Sequence, residues 1–300
     1  MDWSRRKLLY KKRLLKYGGG LVRFAFLLGV GYVTLYPLLF MISSSFMSVS
    51  DTLDATVVWL PSNLNWFNFQ KAFELLDYGE ALKNTVTLVL PCVVLQVISC
   101  VFIAYGFARF KLPGLPILFA LLLFNIIVPS DCYMIPVYVL MTELKLINTT
   151  WQFYIQALLG VGIRSALYIF IIRQFFRTMP KELEDAAYLD GCGPFKTFIS
   201  VMVPNAASSF LTVFIFSIVW YWNDYYVSSM YFTQGNTISL KIDSIANLIS
   251  MYLYNEIRNA SDFIVWMEAG CLLAIAPIVI MYIFLQKYFT EGIERAGLAN

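Results

Sequence analysis

Apolar residues in this 300-residue chain gather into long runs separated by short polar stretches. A bilayer-spanning helix needs roughly 20 mainly apolar residues. Six runs reach that length: Leu21–Phe46, Thr85–Ala108, Pro116–Leu140, Phe153–Phe176, Phe210–Phe232 and Phe263–Phe289. The third and fourth are the least cleanly separated. The pattern predicts an all-α, polytopic membrane protein with six transmembrane helices. What remains is too short for a separate soluble domain, so residues 21–300 read as one transmembrane domain behind a basic segment, 1–20.

Composition agrees with that reading. Apolar residues make up 59% and charged residues 14% of the chain, and the mean hydropathy is +0.68. Soluble domains carry about 25% charged residues. The basic cluster from Arg5 to Lys16 precedes the first run, as in a signal peptide. The run is too long for that, and no small-residue cleavage site follows it before Phe46, so a retained helix anchored by the cluster is expected. No basic domain accompanies the cluster, so nucleic acid is not an expected partner.

Charge sets the orientation. Lys and Arg gather on the cytoplasmic side of membrane proteins. With a cytoplasmic N-terminus and six spans, only Lys71, Lys83, Lys145, Arg164, Lys241 and Arg258 of the 22 basic residues lie outside. Both termini are then expected in the cytoplasm of a cell-membrane protein.

Several chemistries lack their residues. Histidine is absent, and the five cysteines are scattered with no C-x-x-C pair, which excludes the usual zinc and dithiol sites. No Gly-rich phosphate loop of the G-x-x-x-x-G-K-[ST] kind occurs, so the chain is not expected to bind ATP itself, and no cofactor or metal is expected. Gly18-Gly19-Gly20 reads as a hinge before the first span.

The polar stretch 177–205, between the fourth and fifth runs, is patterned. Pro180 suits a first helical position, because its missing N–H costs nothing there. Glu182, Glu184 and Asp185 follow where the helix dipole favours anions, and Ala186 and Ala187 extend the helix for about three turns to Asp190. Gly191 sits where a left-handed residue would end it. Pro194 can start a second helix with Phe195, Phe198, Ile199 and Met202 on one face, stopped at Pro204. Physics alone leaves two readings: an interfacial helix-turn-helix, or a pair of helices that docks into a partner's groove.

The segment Glu184-Asp185-Ala186-Ala187, then Asp190-Gly191, then Val203-Pro204, resembles the "EAA" loop of permease subunits of binding-protein-dependent ABC importers. Asp185 stands in the Glu position, and Val203-Pro204 replaces Leu-Pro. Asn84-Thr85, Ile135 to Leu140 with Leu146 to Thr149, Trp222-Asn223-Asp224-Tyr225 and Phe289 to Ile293 extend the likeness; the tail Gly297 to Asn300 departs from the family's usual ending. The likeness is strongest to the carbohydrate importers, and to the smaller of the paired permeases in maltose-type systems.

That resemblance implies a type I importer permease fold of bacterial origin, with coupling helices between spans 4 and 5. It implies ATPase-coupling roles for Glu184, Asp185, Ala186, Ala187, Asp190, Gly191 and Pro204. It implies a second homologous permease subunit, a dimer of ATP-binding subunits that hydrolyse ATP, an extracytoplasmic solute-binding protein and a sugar substrate. This chain would perform no catalysis of its own.

Polar residues inside spans are costly and therefore informative. Ser217, Tyr221, Asp224 and Ser228 are spaced to share one face of a continuous helix, flanked by Trp220 and Asn223, with Trp222 a path candidate beside them. They read either as a wall of a sugar path or as glue between helices. Gln96 and Asn125 are further path candidates. Pro129 and Pro136 are expected to bend the third span. The rival function is an ion-coupled secondary transporter, which would need carboxylates at broken helices near the midplane.

Overall fold

The computed structural model describes residues 3–233, 237–256 and 262–297, without the side chains of 3–17, 256 and 288–297. Arg258 and the last three residues of the tail lie outside these. In chain order the helices are α1 (Trp3–Ser45), α2 (Val49–Leu53), α3 (Phe67–Leu75), α4 (Tyr78–Arg109), α5 (Leu115–Ile127) and α6 (Asp131–Glu143). There follow α7 (Trp151–Leu158), α8 (Ser165–Thr178), α9 (Glu182–Leu189), α10 (Pro194–Thr197) and α11 (Val203–Asn205). The last are α12 (Ala207–Trp222), α13 (Tyr226–Tyr231), α14 (Ile238–Glu256) and α15 (Asp262–Gly297). Every regular element among the described residues is helical.

Among the described residues three stretches are long and apolar enough to cross a bilayer: Gly18–Ser45, Tyr78–Arg109 and Asp262–Lys287. Two bent pairs raise the number to five if each is one span: α5 with α6, bent by 101°, and Pro194–Asn205 with α12, bent by 72°. The first bend falls at Val128-Pro129-Ser130, as the sequence suggests, because Pro129 disfavours helix at the residue before it. Pro136 does not break α6.

Several expectations need correction. The glycine triplet continues α1 as helix instead of forming a hinge. The second span opens at Tyr78, a turn and a half before Asn84-Thr85. The fourth expected span is two helices, α7 and α8, separated by residues 159–164. Gly160 and Arg164 adopt left-handed backbone there, with φ of 71° and 59°, which no α-helix can hold. The fifth also ends early: α12 stops at Trp222, and Asp224 caps α13 by accepting from the backbone amides of Val227 (3.2 Å) and Ser228 (2.8 Å). A short acid that can bond the following amides favours a new helix start over continuation. Ser217, Tyr221, Asp224 and Ser228 therefore do not share one continuous helical face.

The chain forms two compact units. One comprises residues up to Ala72 with Ile249–Leu272. In it Asn68 donates to the carbonyls of Ser45 (2.9 Å) and Met47 (2.8 Å), closing the end of α1. Phe67 and Tyr252 pack edge-on against the buried Trp266.

The other comprises Phe73–Leu248 with Leu273–Asn300. Its centre is α4, which packs on α7, α8 and α12. Two prolines lie inside its long helices, and each leaves the carbonyl four residues earlier without a donor. Tyr154 supplies one for Thr87, four residues before Pro91, at 2.5 Å. Tyr78 supplies one for Leu273, four residues before Pro277, at 2.8 Å. In lipid such carbonyls must be satisfied from within the protein.

Candidate functional site

The stretch 177–205 folds as two short helices around a glycine bend. Helix α9 starts at Glu182, not at Pro180, and runs for about two turns. Its end is a complete Schellman motif: Gly191 donates to Tyr188 (3.0 Å) and Cys192 donates to Ala187 (2.9 Å). Gly191 has a φ of 80°, the left-handed conformation expected of it. A Cβ there would meet no atom within 4 Å, so the demand for glycine comes from the backbone alone.

The second helix differs from the expectation. After α10, residues Phe198–Met202 form a π-turn in which Val203 donates to Phe198 five residues back. Pro204 cannot donate, and the widened turn accommodates its ring without ending the helix. Pro204 lies in the first turn of α11. The expected apolar face is divided. Phe198 and Met202 are buried with α4 and α8 in one core, whereas Phe195 and Ile199 are exposed.

One face of α9 points inward and the other outward. Glu184 and Ala187 are buried. Asp185, Ala186, Tyr188, Leu189 and Asp190 are exposed, with Leu189 at 89%. The Glu184 carboxylate receives the Tyr105 hydroxyl at 2.7 Å on Oε1 and faces the Arg109 Nε at 3.1 Å on Oε2. Arg109 also donates to the Met179 carbonyl at 2.9 Å. Tyr105 is wedged between Phe176 and Phe198. The sequence offered no signal for this contact, because Tyr105 and Glu184 are 79 residues apart.

The intramembrane candidates separate into two groups. Gln96 and Tyr221 are buried and converge on Gly162: an added Cβ there would lie 2.5 Å from the Tyr221 hydroxyl oxygen and 2.9 Å from Gln96 Oε1. Gln96 also donates to the Ile163 carbonyl at 2.6 Å, holding the break between α7 and α8. Trp222 is buried and donates to the Ala274 carbonyl at 3.2 Å, beside the acceptor freed by Pro277. Asn125 and Asn223 are exposed, and Asp224 is half-buried. An apolar cavity of about 150 Å³ lies between Leu82, Val89, Ile218, Trp222, Pro277 and Met281. Among the described residues no group of three or more acidic or cysteine side chains is placed to hold a metal ion.

Comparison with known proteins carries this arrangement to a family. Residues 84–295 match the family described as "Binding-protein-dependent transport system inner membrane component". The chain is 29% identical over 280 residues to the arabinooligosaccharides transport system permease protein AraQ of Halalkalibacterium halodurans, covering 92% of this chain and 94% of that one. It is 26% identical over 278 residues to the maltodextrin transport system permease protein MalD of Streptococcus pneumoniae, covering 91% and 93%. In fold it resembles a chain in the crystal structure of a bacterial ABC transporter involved in the import of the acidic polysaccharide alginate. The TM-score is 0.76, with 21% identity over 96% of this chain and 99% of that one. These matches set aside the ion-coupled alternative: the chain belongs to the family of binding-protein-dependent transport system inner membrane components, the permease subunits of ABC importers.

Proposed function

We propose that this permease forms part of the translocation path for a sugar or oligosaccharide and couples it to a cytoplasmic ATPase through residues 177–205. The observation that carries the coupling assignment is the two-sided character of α9. Its inner face is fastened to α4, while Asp185, Ala186, Leu189, Asp190 and the Gly191 bend remain on the outside. The small Ala186 and the absent Gly191 side chain let a partner's groove approach the backbone closely. The ATP-binding subunits form a dimer, a second homologous permease completes the path, and an extracytoplasmic binding protein delivers the sugar.

A carbohydrate substrate is supported by the relatives, whose names specify arabinooligosaccharides and maltodextrin. Six spans complete the reading: α1, α4, the α5–α6 pair, the α7–α8 pair, α12 with α13, and α15. Lys and Arg then face the cytoplasm at both termini of a bacterial cell-membrane protein. Asn223 and Asn125 are exposed polar groups and are assigned to the sugar path. Gln96, Tyr221 and Trp222, being interior, are assigned to packing beside it.

Reconstitution of the purified complex with its binding protein and a panel of labelled oligosaccharides tests this. Uptake should require ATP and the binding protein. Uptake that persists without ATP and follows an ion gradient would reject the assignment.

A further inference from the structure

The contact between α9 and α4 has the properties of a mechanical link. Glu184 is held at two points: one carboxylate oxygen accepts a charge-assisted hydrogen bond from the Tyr105 phenol, stronger than a neutral one, and the other forms an ion pair with the Arg109 guanidinium. The same guanidinium holds the Met179 carbonyl at 2.9 Å. Arg109 therefore grips both ends of the turn Met179 to Glu184, through which α8 passes into α9. The side chains of Arg109 and Glu184 are only 8% and 11% exposed, so water screens the pair little.

Both partners lie in the last two turns of α4. That helix runs 32 residues and packs on α7, α8 and α12. Tyr105 is wedged against Phe176 of α8 and Phe198 of the π-turn. A push on the outer face of α9 thus meets a fixed point on its inner face, and that point belongs to α4, the helix at the centre of this unit.

We propose that Glu184 is a positioning residue that transmits motion: it does not face the ATPase but ties α9 to Tyr105 and Arg109, so that displacement of α9 moves α4. This rests on the coupling role proposed for residues 177–205. The neighbouring acid, Asp185, is exposed and serves the contact with the ATPase. Two adjacent acids thus divide the labour, one gripping the motor and one gripping the span.

The test uses the complete complex in nanodiscs, with ATP and vanadate as the probe and a spin label at Val94, exposed on α4. Glu184→Gln is isosteric and removes the ion pair. Tyr105→Phe removes one oxygen and leaves the ring packing. Glu184→Gln combined with Arg109→Gln removes both charges, so that no buried cation is left unpaired. The unmodified complex should change the label's mobility when nucleotide is trapped. The variants should retain the ATPase subunits and their ATP turnover, while the trapped-state population reported by the label falls about tenfold, a difference of about 1.4 kcal/mol.

A full response in all three variants overturns the proposal. Loss of the ATPase subunits overturns it too, because Glu184 then belongs to the docking surface. The absence of any response in the unmodified complex overturns it by removing α4 from the moving parts. Gly191→Asp tests the underlying coupling role separately: if that variant keeps its ATPase and its uptake, the loop itself is not the coupling element.

Discussion

The hydroxyl of Tyr154 donates to the carbonyl of Thr87 at 2.5 Å, and that carbonyl is the acceptor Pro91 leaves free in α4. The same device recurs where Tyr78 reaches Leu273, four residues before Pro277. In each case a neighbouring helix supplies the donor that the proline lacks. A span with an interior proline thereby keeps its backbone satisfied and is tied to its neighbour beside the proline.

This relationship makes Tyr154 and Pro91 energetically coupled. Tyr154→Phe should lower the stability of the purified protein by about 0.6–1.7 kcal/mol, the range for hydrogen bonds between membrane helices. Pro91→Ala restores an N–H to Thr87, so Tyr154→Phe should cost less in that background. A double-mutant cycle by unfolding in detergent measures the difference; equal penalties in both backgrounds would sink the idea.

Gly191 ends α9 with a φ of 80° in open space. Gly191→Ala should therefore cost roughly 1–2 kcal/mol of local backbone strain and no steric clash. Gly191→Asp adds a charge on the outer face. It should leave membrane insertion intact, release the ATPase subunits on purification and abolish uptake. Retention of both by the Asp variant is the contrary outcome.

Gly162 is limited by space instead. Gly162→Ala drives a methyl group into the Tyr221 hydroxyl and Gln96 Oε1 and should destabilise by about 1–3 kcal/mol, as overpacking does. Adding Tyr221→Phe removes the nearer obstacle and should recover part of that loss. Thermal unfolding of the single and double variants checks both statements, and an unshifted midpoint for Gly162→Ala would contradict the packing.

Asn223 is exposed just past the end of α12 and donates to the Val219 carbonyl at 2.8 Å. Asn223→Ala should reduce sugar uptake without changing the amount of assembled complex. Unchanged uptake per assembled complex would remove it from the path.

Orientation is checked by impermeant thiol reagents on intact cells. A cysteine introduced at Ser62 should be labelled, and one at Lys196 should be protected until the membrane is opened. Both positions are exposed, so burial does not confound the comparison. The reverse pattern would invert the topology.

Much of this was legible in the chain. Apolar runs longer than a bilayer is thick admit little besides membrane helices, so the all-α class and its embedding follow from composition and run length. The bend at Gly191 was equally legible, because a helix ended by glycine and followed by proline is a local matter of backbone sterics. Less legible were the breaks at 159–164 and 223–225. Hydropathy sums over a window and does not register a left-handed Arg164 or a capping Asp224 inside an apolar run.

What only the tertiary structure decided is which side of each helix is occupied. Glu184 and Asp185 are adjacent acids with the same chemistry, separated by about 100° around the helix axis. The seating of α9 beside the π-turn, with its side-chain ties to α4, turns the first toward Arg109 and the second toward solvent. The same kind of choice buried Tyr221, Trp222 and Gln96 and left Asn223 and Asn125 outside. Local sequence determines that a helix forms and where its backbone must bend. The rotation of that helix about its axis is settled by partners distant in the chain, such as Tyr105 for Glu184, and by the cost of leaving a buried charge or carbonyl without them.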